Sequence, residues 1–370
     1  YAYENTIYKN RLLHMSNKFI FLLLLLPFFG CKKDDDIIPP TPETAMYFPP
    51  VADTAWETTS ITELGWNEEA FEPLLNYLAD KNSKSFMILV DGKIVLEAYF
   101  DGHNAEAEWQ WNSAGKTLVS ATTGIAQQQG LLNINNKVSD YLGSGWTSEP
   151  IDKESLINSR HLLTMTSGIN DSSELVIKFN LTYLADAGTR WSYHNVFQKL
   201  MDVVAAAADT EYETYFNEHL KNKIGMDGYW EEGLIFTIYH SSTRSMARFG
   251  LLALNTGNWD GEQIVNADFF NESVHTSQDI NPSYGYLWWL NGKATYMVPG
   301  GQEVYTGPLI PNAPSDMYAA MGAEDQRIYV VPGKNMVIIR MGNASDPLNP
   351  SFALSGFDNE LWEKINAVIE

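Results

Sequence analysis

Residues 111–120 read WNSAGKTLVS and contain two overlapping motifs. The letters GKT resemble the end of a phosphate-binding loop, whereas Ser113 and Lys116 have the Ser-x-x-Lys spacing of a nucleophile and its base. A phosphate-binding loop needs a glycine five residues before its Gly-Lys pair, and Gln110 occupies that position. The loop also has to follow an apolar strand, but the preceding residues are HNAEAEWQWN. We therefore exclude phosphate binding.

The Ser113 and Lys116 pair favours nucleophilic catalysis. At the start of a helix, residues three positions apart lie on one face, one turn from each other. A serine hydroxyl becomes an effective nucleophile when a neighbouring base removes its proton. A free lysine has a pKa of about 10.4 and stays charged, but burial lowers that pKa because it disfavours the ammonium form. A buried Lys116 is therefore a suitable base, and this is the only Ser-x-x-Lys pair in the chain.

A second motif, WSYHN, supplies a group that passes protons onward. The phenol of Tyr193 can relay a proton between nucleophile and leaving group. Asn195 is expected to hold Lys116 and the carbonyl side of the substrate by hydrogen bonding. A rival Tyr-x-Asn copy, Tyr215 with Asn217, lies in the amphipathic segment ETYFNEHL, where packing is the expected role of the tyrosine. We therefore favour the first copy.

Length and charge narrow the class of function. The chain has 370 residues, 45% of them hydrophobic, which is enough for one large domain or for two lobes that share a site. Its formal net charge is −22, and such a surface repels phosphate backbones, so nucleic acid is not an expected partner. The histidines are scattered without zinc-site spacing, and no Gly-x-Ser-x-Gly elbow of an α/β-hydrolase occurs. No metal or cofactor is expected.

The N-terminal region has the features of a secreted lipoprotein. From Met15 the chain reads MSNKFIFLLLLLPFFGCKKDDD. Its apolar run is shorter than the roughly 20 residues of a membrane span but fits the core of a signal peptide. The run ends at Cys31, the only cysteine, and resembles a bacterial lipoprotein signal, with KKDDD resembling a Bacteroidetes-type surface-export signal. We expect an outer-membrane lipoprotein, periplasmic or surface-exposed, held by an N-terminal lipid anchor. An ordinary cleaved signal is the alternative.

Strand patterns occur at both ends of the remaining chain, with helical patterns between them. In SFMILVDGKIVLEAYF, Asp91 and Gly92 supply the positive φ angles of a two-residue hairpin turn. Both flanking runs are nearly all apolar, which predicts a central hairpin in a sheet covered on both faces. RIYVVPGKNMVIIRMG predicts a second hairpin. The predicted fold class is α/β (α+β): an antiparallel sheet formed by both termini, flanked by helices, with an inserted, mostly helical lobe.

Changes in composition divide the chain into segments. The predicted segments are upstream read-through (1–14), a lipoprotein signal peptide (15–30), a lipidated cysteine with a flexible, proline-containing tether (31–60) and one folded domain (61–370). Within the domain we predict a sheet lobe (about 61–112 and 278–370) and a helical lobe (about 113–277).

The SAGK and YHN motifs together resemble those of serine hydrolases in the class C β-lactamase and penicillin-binding-protein superfamily. The similarity is greatest to the esterase and 6-aminohexanoate-dimer-hydrolase branch, and it extends from about residue 66 to the C-terminus. HLLTMTSGI, SMARFGLLALNTG and YGYLWWLN are similar to the family scaffold. The resemblance implies a β-lactamase-like fold, with Ser113 as the acylated nucleophile, Lys116 as its base and Tyr193 as the acid/base partner.

A third motif departs from the family pattern. β-Lactamases of this superfamily carry Lys-Thr-Gly on the strand beside the site, but this chain has neither Lys-Thr-Gly nor Ser-Asp-Asn. Where the hexanoate-dimer branch has Gly-x-His-Gly-Gln, this chain has GAEDQ. The amide of Ala323 is expected to pair with that of Ser113 in an oxyanion hole. The cationic anchor for a substrate carboxylate is absent, and Glu324 and Asp325 face either the cleft, where they would repel a carboxylate, or solvent.

Side chains around the cleft are also candidates for substrate binding. The tryptophans either line the cleft and bind an apolar acyl group or pack in the core; they are Trp109, Trp111, Trp191, Trp288 and Trp289. The candidate cleft residues are Trp191, Glu324, Asp325 and Gln326.

We therefore expect a serine hydrolase that cleaves an ester or amide bond in a small molecule or peptide, through an acyl-enzyme on Ser113. A D-alanyl-D-alanine carboxypeptidase or a β-lactamase is the alternative within this chemistry, and the missing Lys-Thr-Gly weakens it. A catalytically silent binding lipoprotein is the alternative from another class. The presence of Ser113, Lys116, Tyr193 and Asn195 together argues against that alternative.

Overall fold

A computed structural model describes residues 45–233, 235–350 and 353–370. These residues belong to one compact unit. The predicted signal peptide, Cys31 and the first part of the predicted tether lie outside the described residues. Within the described ranges, none of the helices combines the length and apolar character that crossing a membrane requires.

Helices and short strands follow one another along this unit. The α-helices are α1 (Phe71–Asp80), α2 (Lys116–Gln128), α3 (Ser139–Leu142), α4 (Ile151–Glu154), α5 (Ser159–Leu163), α6 (Lys199–Ala208), α7 (Tyr212–Phe216), α8 (Thr243–Leu254), α9 (Ala267–Ser273) and α10 (Gly356–Ile369). The strands are β1 (Ser83–Val90), β2 (Lys93–Tyr99), β3 (Trp109–Gln110), β4 (Tyr229–Glu232), β5 (Thr237–Ser241), β6 (Asn258–Trp259), β7 (Glu262–Gln263), β8 (Trp289–Leu290), β9 (Thr295–Tyr296), β10 (Tyr305–Thr306), β11 (Tyr318–Gly322), β12 (Gln326–Val331) and β13 (Met336–Gly342). The 3₁₀ helices are Glu68–Ala70, Asn112–Gly115, Lys178–Asn180, Asn195–Gln198, Ala323–Asp325 and Pro332–Lys334, and Asn217–Lys221 is a π-helical turn.

The main sheet is antiparallel and has the strand order β2-β1-β13-β12-β11-β8. Its strands come from both ends of the described chain, so the predicted fold class is confirmed. Asp91 and Gly92, with φ angles of 50° and 81°, form the predicted turn between β1 and β2. The second predicted hairpin, β12–β13, turns through Pro332–Lys334 and Asn335, which has a φ of 46°.

Only one strand of the first hairpin lies in the interior of the sheet. β1 lies inside the sheet and is mostly buried, but β2 is an edge strand whose residues, apart from Ile94, are half-buried. A chain segment covers part of the free edge of β2: Ile94 N donates to Glu57 O at 2.9 Å, and Thr59 N donates to Ile94 O at 2.9 Å. The folded unit therefore includes residues that the sequence assigned to the tether.

The two faces of the main sheet are covered by different helices. On one face, α8 packs closely, because a Cβ at Gly250 would lie 2.5 Å from Val337 Cγ1 and 3.1 Å from Ile328 Cγ2. Side chains alternate along a strand, so Tyr329 points to the other face, where its ring lies 5.5 Å from that of Trp362 in α10. The helix α8 falls inside the predicted helical lobe, yet it is one of the layers on the sheet.

A central helix, α2, carries the decisive motif at its N-terminal end. Every residue from Lys116 to Ala126 in this helix is buried, and α2 packs against α6 and α9. A helix buried on all sides holds its first turn firmly, because several neighbouring elements fix its axis. This positions the site described next.

Candidate active site

The nucleophile candidate Ser113 lies in the 3₁₀ turn Asn112–Gly115 that leads into α2. Asn112 has a φ of 49°, a left-handed conformation that asparagine tolerates better than most residues. Lys116 is the first residue of α2, and its Nζ donates to Ser113 Oγ at 2.7 Å. The structure therefore brings the two predicted residues into direct contact.

The amine of Lys116 lies in an apolar environment. The residue is 4% exposed, and its Nζ lies 4.7 Å from the ring centroid of Tyr193 and 4.5 Å from that of Phe197. Burial lowers the pKa of Lys116 from 10.5 to about 7, and the negative charge of Glu174 opposes part of this change. Near neutral pH a substantial fraction of Lys116 is therefore uncharged and able to accept a proton.

The phenol of Tyr193 is the second predicted group. Its oxygen is buried and has no hydrogen-bond partner among the described residues. Burial raises the pKa of Tyr193, although the neighbouring Ser113 and Trp289 act in the opposite direction. The ring is held by Trp289, whose centroid lies 5.5 Å away. The phenol is therefore neutral at physiological pH, and its O–H is free to donate.

Asn195 lies on the same cleft wall, at the start of the 3₁₀ helix Asn195–Gln198. Its side-chain amide donates to Glu174 O at 3.4 Å. The expected hydrogen bond to Lys116 is not formed in this structure, where the amine bonds to Ser113 instead. The structure thus places Asn195 near the reacting groups but gives it a different partner.

The end of β11 lies directly against the nucleophile turn. A Cβ at Gly322 would lie 2.4 Å from Trp111 O and 2.9 Å from Ala114 N, so this approach requires glycine. The next residue, Ala323, lines the cleft, and Asn112 Nδ2 donates to Ala323 O at 2.9 Å. The GAEDQ stretch and the nucleophile turn are therefore fixed to each other.

Around these groups is a cleft with a volume of about 200 Å³. Its remaining polar side chains are those of Asn112, Asp171, Glu174, Asn195 and Thr237, and its apolar ones include Phe197, Phe236 and Pro299. Two carboxylates thus face the cleft, and Lys116 is its only basic residue among the described ones. The sequence analysis missed Asp171 and Glu174, because they lie in a loop without a recognisable motif.

The two cleft carboxylates differ in their partners. Asp171 accepts a hydrogen bond from Arg190 Nη2 at 2.9 Å and another from Ser192. Burial raises the pKa of Asp171, but these two hydrogen bonds outweigh it and hold the pKa below its usual value. Asp171 is therefore anionic at neutral pH. Glu174 is exposed.

Two residues assigned to the substrate cleft lie in the core instead. Trp191 is fully buried, and its ring packs edge-on against Tyr284 at 5.5 Å. Gln326 is also fully buried: its side chain donates to Gly342 O at 2.6 Å and accepts from Gly342 N at 3.0 Å. Both side chains have roles inside the fold, so their assignment to the cleft was wrong.

The two acidic residues of GAEDQ also turn away from the cleft. Asp325 is 2% exposed and pairs with Arg327, whose Nη2 lies 2.9 Å from its Oδ1. Glu324 accepts from Gln110 Nε2 at 2.8 Å and does not line the cleft. Neither alternative expected for Asp325, cleft or solvent, is correct, because a buried arginine holds its carboxylate inside the protein.

Three of the four remaining tryptophan candidates belong to the core, and the fourth, Trp109, is half-buried and does not line the cleft. Trp111, Trp288 and Trp289 are at most 1% exposed, so phenylalanines rather than tryptophans line the cleft. The rival Tyr215 is buried on α7, and its hydroxyl donates to Gln129 Oε1 at 2.8 Å. Among the described residues, no group of histidine, cysteine and carboxylate side chains is arranged to hold a metal ion.

Comparisons with known proteins agree with this architecture. The Beta-lactamase family model matches residues 78–230. A candidate 6-aminohexanoate-dimer hydrolase from Bacillus anthracis superposes with a TM-score of 0.63 at 16% identity, over 87% of this chain and 88% of that one. A candidate β-lactamase from Bacteroides dorei superposes with a TM-score of 0.64 at 14% identity, over 82% of this chain and 99% of that one. A family VIII carboxylesterase superposes with a TM-score of 0.61 at 14% identity, over 80% of this chain and 96% of that one. At these identities the likeness establishes the fold.

Proposed function

Because the chain has the fold of the β-lactamase/transpeptidase-like superfamily, we propose that it is a serine hydrolase that cleaves an ester or amide bond through an acyl-enzyme on Ser113. One observation carries this proposal. Lys116 Nζ lies 2.7 Å from Ser113 Oγ, in surroundings that lower the pKa of the amine to about 7. General-base catalysis needs a nucleophile in contact with a base whose pKa lies near the working pH.

Acylation begins at this contact. Uncharged Lys116 accepts the hydroxyl proton as Ser113 Oγ attacks the substrate carbonyl carbon. The negative charge that develops on the carbonyl oxygen is stabilised by the amides of Ser113 and Ala323, since fixed donors aimed at such an oxygen are worth about 10²–10³ in kcat each. Collapse of this intermediate breaks the ester or amide bond and leaves the acyl group on Ser113.

Tyr193 supplies the proton for the leaving group. Burial raises its pKa, so the phenol stays neutral and keeps a proton that it can donate. The phenol gives its proton to the departing oxygen or nitrogen, and the Lys116 ammonium restores it. In the second half of the reaction the same relay runs in reverse, so that a water molecule loses its proton as it attacks the acyl-enzyme.

The cleft favours neutral substrates with an apolar acyl group. Phe197 and Phe236 provide apolar surface, whereas Asp171 and Glu174 make the electrostatic potential negative. A substrate carboxylate would meet no permanent cation among the described cleft residues. β-Lactams and D-alanyl-D-alanine peptides carry such a carboxylate, so esterase or amidase activity is the better proposal.

A panel of chromogenic substrates tests this preference. Hydrolysis of p-nitrophenyl acetate and butyrate is compared with that of a chromogenic cephalosporin and of a D-Ala-D-Ala peptide. We expect the neutral esters to have the highest kcat/KM. If the cephalosporin were turned over fastest, the electrostatic argument would be wrong.

A fluorophosphonate probe distinguishes the hydrolase from a catalytically silent binding protein. We expect the probe to label the wild-type chain covalently and not to label Ser113→Ala. Absence of labelling in the wild type, or equal labelling of the variant, would contradict the enzymatic proposal.

We also propose that Cys31 carries the lipid that anchors the mature protein at the outer membrane. The sequence around this cysteine supports it, through the apolar run before it and the charged run after it. Labelled palmitate fed to cells that express the chain should be incorporated in the wild type and not in Cys31→Ala, which should also leave the membrane fraction. Equal labelling and fractionation would contradict the anchor.

A further inference from the structure

Arg327 on β12 is fully buried directly behind the hairpin turn that carries Ala323. Its guanidinium is fixed by two carboxylates: it donates to Asp358 at 2.6 and 3.0 Å and to Asp325 at 2.9 Å. The same guanidinium donates through Nη1 to Gly322 O at 2.7 Å. A group fixed by two anions therefore holds the carbonyl oxygen of Gly322 in place.

The orientation of one peptide group follows from this contact. No cis peptide bond occurs among the described residues. In a trans peptide the C=O of one residue and the N–H of the next point in opposite directions. The N–H of Ala323 therefore points away from Arg327. The nucleophile turn packs against Gly322, since a Cβ at Gly322 would be 3.1 Å from Ser113 N.

The rest of the turn is held in the same manner. Glu324 and Asp325 have φ angles of 58° and 60°, a left-handed conformation that residues with side chains disfavour. Arg340 donates to Glu324 O at 2.7 Å and to Asp325 O at 3.1 Å. Together with the hydrogen bond to Gly322, these contacts from side chains elsewhere in the fold hold the turn in an otherwise unfavourable backbone conformation.

We propose that Arg327 is a positioning residue for the oxyanion site: by holding Gly322 O, it directs the amide of Ala323 at the acyl carbonyl on Ser113. It does not line the cleft, so it acts through Ala323 rather than on the substrate. The inference rests on the proposed function, because it assigns a cause to the geometry of the proposed oxyanion hole.

The test is the infrared carbonyl band of the acyl-enzyme, formed with a slowly deacylating ester labelled with ¹³C at its carbonyl. A hydrogen bond to this oxygen weakens the C=O bond and lowers its stretching frequency. In Arg327→Lys the band should move to higher frequency. Since losing a whole oxyanion donor costs about 10²–10³ in kcat, we expect kcat to fall about 10-fold or more while KM stays within about 2-fold.

Two further variants separate positioning from general stability. Tyr329→Phe removes the 2.5 Å hydrogen bond to Asp358 within the same buried network but touches nothing at Gly322, so its band and kcat should match the wild type. Arg327→Met combined with Asp358→Asn removes one cation and one anion, which avoids an uncompensated buried charge, and should show the same upward shift as Arg327→Lys.

The outcomes distinguish this inference from the function on which it rests. If no ester acylates the wild-type chain, the proposed hydrolase function is wrong. If the wild type is acylated and the folded Arg327 variants keep the wild-type band, the hydrolase survives and the positioning role of Arg327 is overturned.

Discussion

Lys116 Nζ lies 4.5 Å from the centroid of the Phe197 ring, inside a protein interior that leaves the residue only 4% exposed. Two effects compete there. The ring face attracts an ammonium by about 0.5–2 kcal/mol, whereas desolvation disfavours it. Burial lowers the pKa of Lys116 from 10.5 to about 7, which corresponds to about 5 kcal/mol and exceeds the attraction of the ring. This competition determines the pH at which the proposed base works.

The first prediction concerns the pH profile. Because the uncharged amine is the base, kcat/KM for a neutral ester should rise with pH and reach half of its plateau near pH 7. The charge of Glu174 favours the ammonium form, so Glu174→Gln should lower the pKa of Lys116 and move the midpoint to lower pH. Glu174 is exposed and screened by salt, so we expect a shift of less than about one unit.

The matched control for this shift is Glu363→Gln, which removes another exposed carboxylate, on α10. Its pH profile should superpose on that of the wild type. A midpoint that stays fixed in Glu174→Gln, or that moves to higher pH, would show that this carboxylate does not act on Lys116.

The second prediction concerns the stability cost of the base. Burial lowers the pKa of Lys116 in the folded state, so between about pH 7 and 10.5 the folded chain binds fewer protons there than the unfolded chain. The free energy of unfolding therefore increases with pH across this window. Lys116→Met should be inactive yet more stable, by on the order of 5 kcal/mol at pH 6 and by much less above pH 10.

Denaturant unfolding at several pH values measures this difference. Lys199→Met is the control, because Lys199 is partly exposed and pairs with Asp202 at 2.7 Å. This control variant should show no comparable gain in the free energy of unfolding. A Lys116→Met variant that is less stable than the wild type at pH 6 would contradict the assignment of a poorly solvated amine.

The third prediction separates the two proton-transfer groups. Tyr193→Phe removes the proposed donor to the leaving group. The p-nitrophenolate leaving group needs little protonation as it departs, so acylation by p-nitrophenyl esters should persist. Acylation by alkyl esters and amides should slow by about 10²–10⁴. Tyr284→Phe removes another buried hydroxyl that lacks a partner among the described residues, and it should react like the wild type. An equal loss on both substrate classes in Tyr193→Phe would rule out the leaving-group role.

The fourth prediction concerns the contact between β11 and the nucleophile turn. A methyl group at Gly322 would lie 2.4 Å from Trp111 O, so Gly322→Ala must push the strand and the turn apart. Because displacements of about 1 Å at a catalytic group cost roughly 10²-fold, we expect a loss of that size in kcat. Gly356→Ala, where a Cβ would meet nothing within 4 Å, is the control. Wild-type kcat in Gly322→Ala would contradict the close approach.

Local patterns predicted the parts of the structure that depend on neighbouring residues. Ser113 and Lys116 meet because they are one helical turn apart, and Asp91 with Gly92 forms a turn because of their backbone preferences. The antiparallel sheet from both termini also followed from strand patterns. The Ser113–Lys116 contact and the turn need no knowledge of distant contacts, whereas the sheet pairs strands from opposite ends of the described chain.

The features that the sequence did not reveal depend on distant partners. Asp325 looks like an exposed loop residue, and only the buried network that joins Arg327 to Asp358 on α10 shows why it points inward. A tryptophan such as Trp191 fits either a cleft wall or the core, and only its packing against Tyr284 shows that it belongs to the core. Glu174 reaches the cleft from a loop with no periodicity, so no local signal identified it.

Mass spectrometry of the chain mixed rapidly with a p-nitrophenyl ester tests the central claim most directly. Samples quenched within the first turnovers should carry one added acyl mass, on the peptide that contains Ser113, and the adduct should form faster at pH 8 than at pH 6. An unmodified wild-type chain that still releases p-nitrophenol, or an adduct of equal yield in Ser113→Ala, would contradict the acyl-enzyme mechanism.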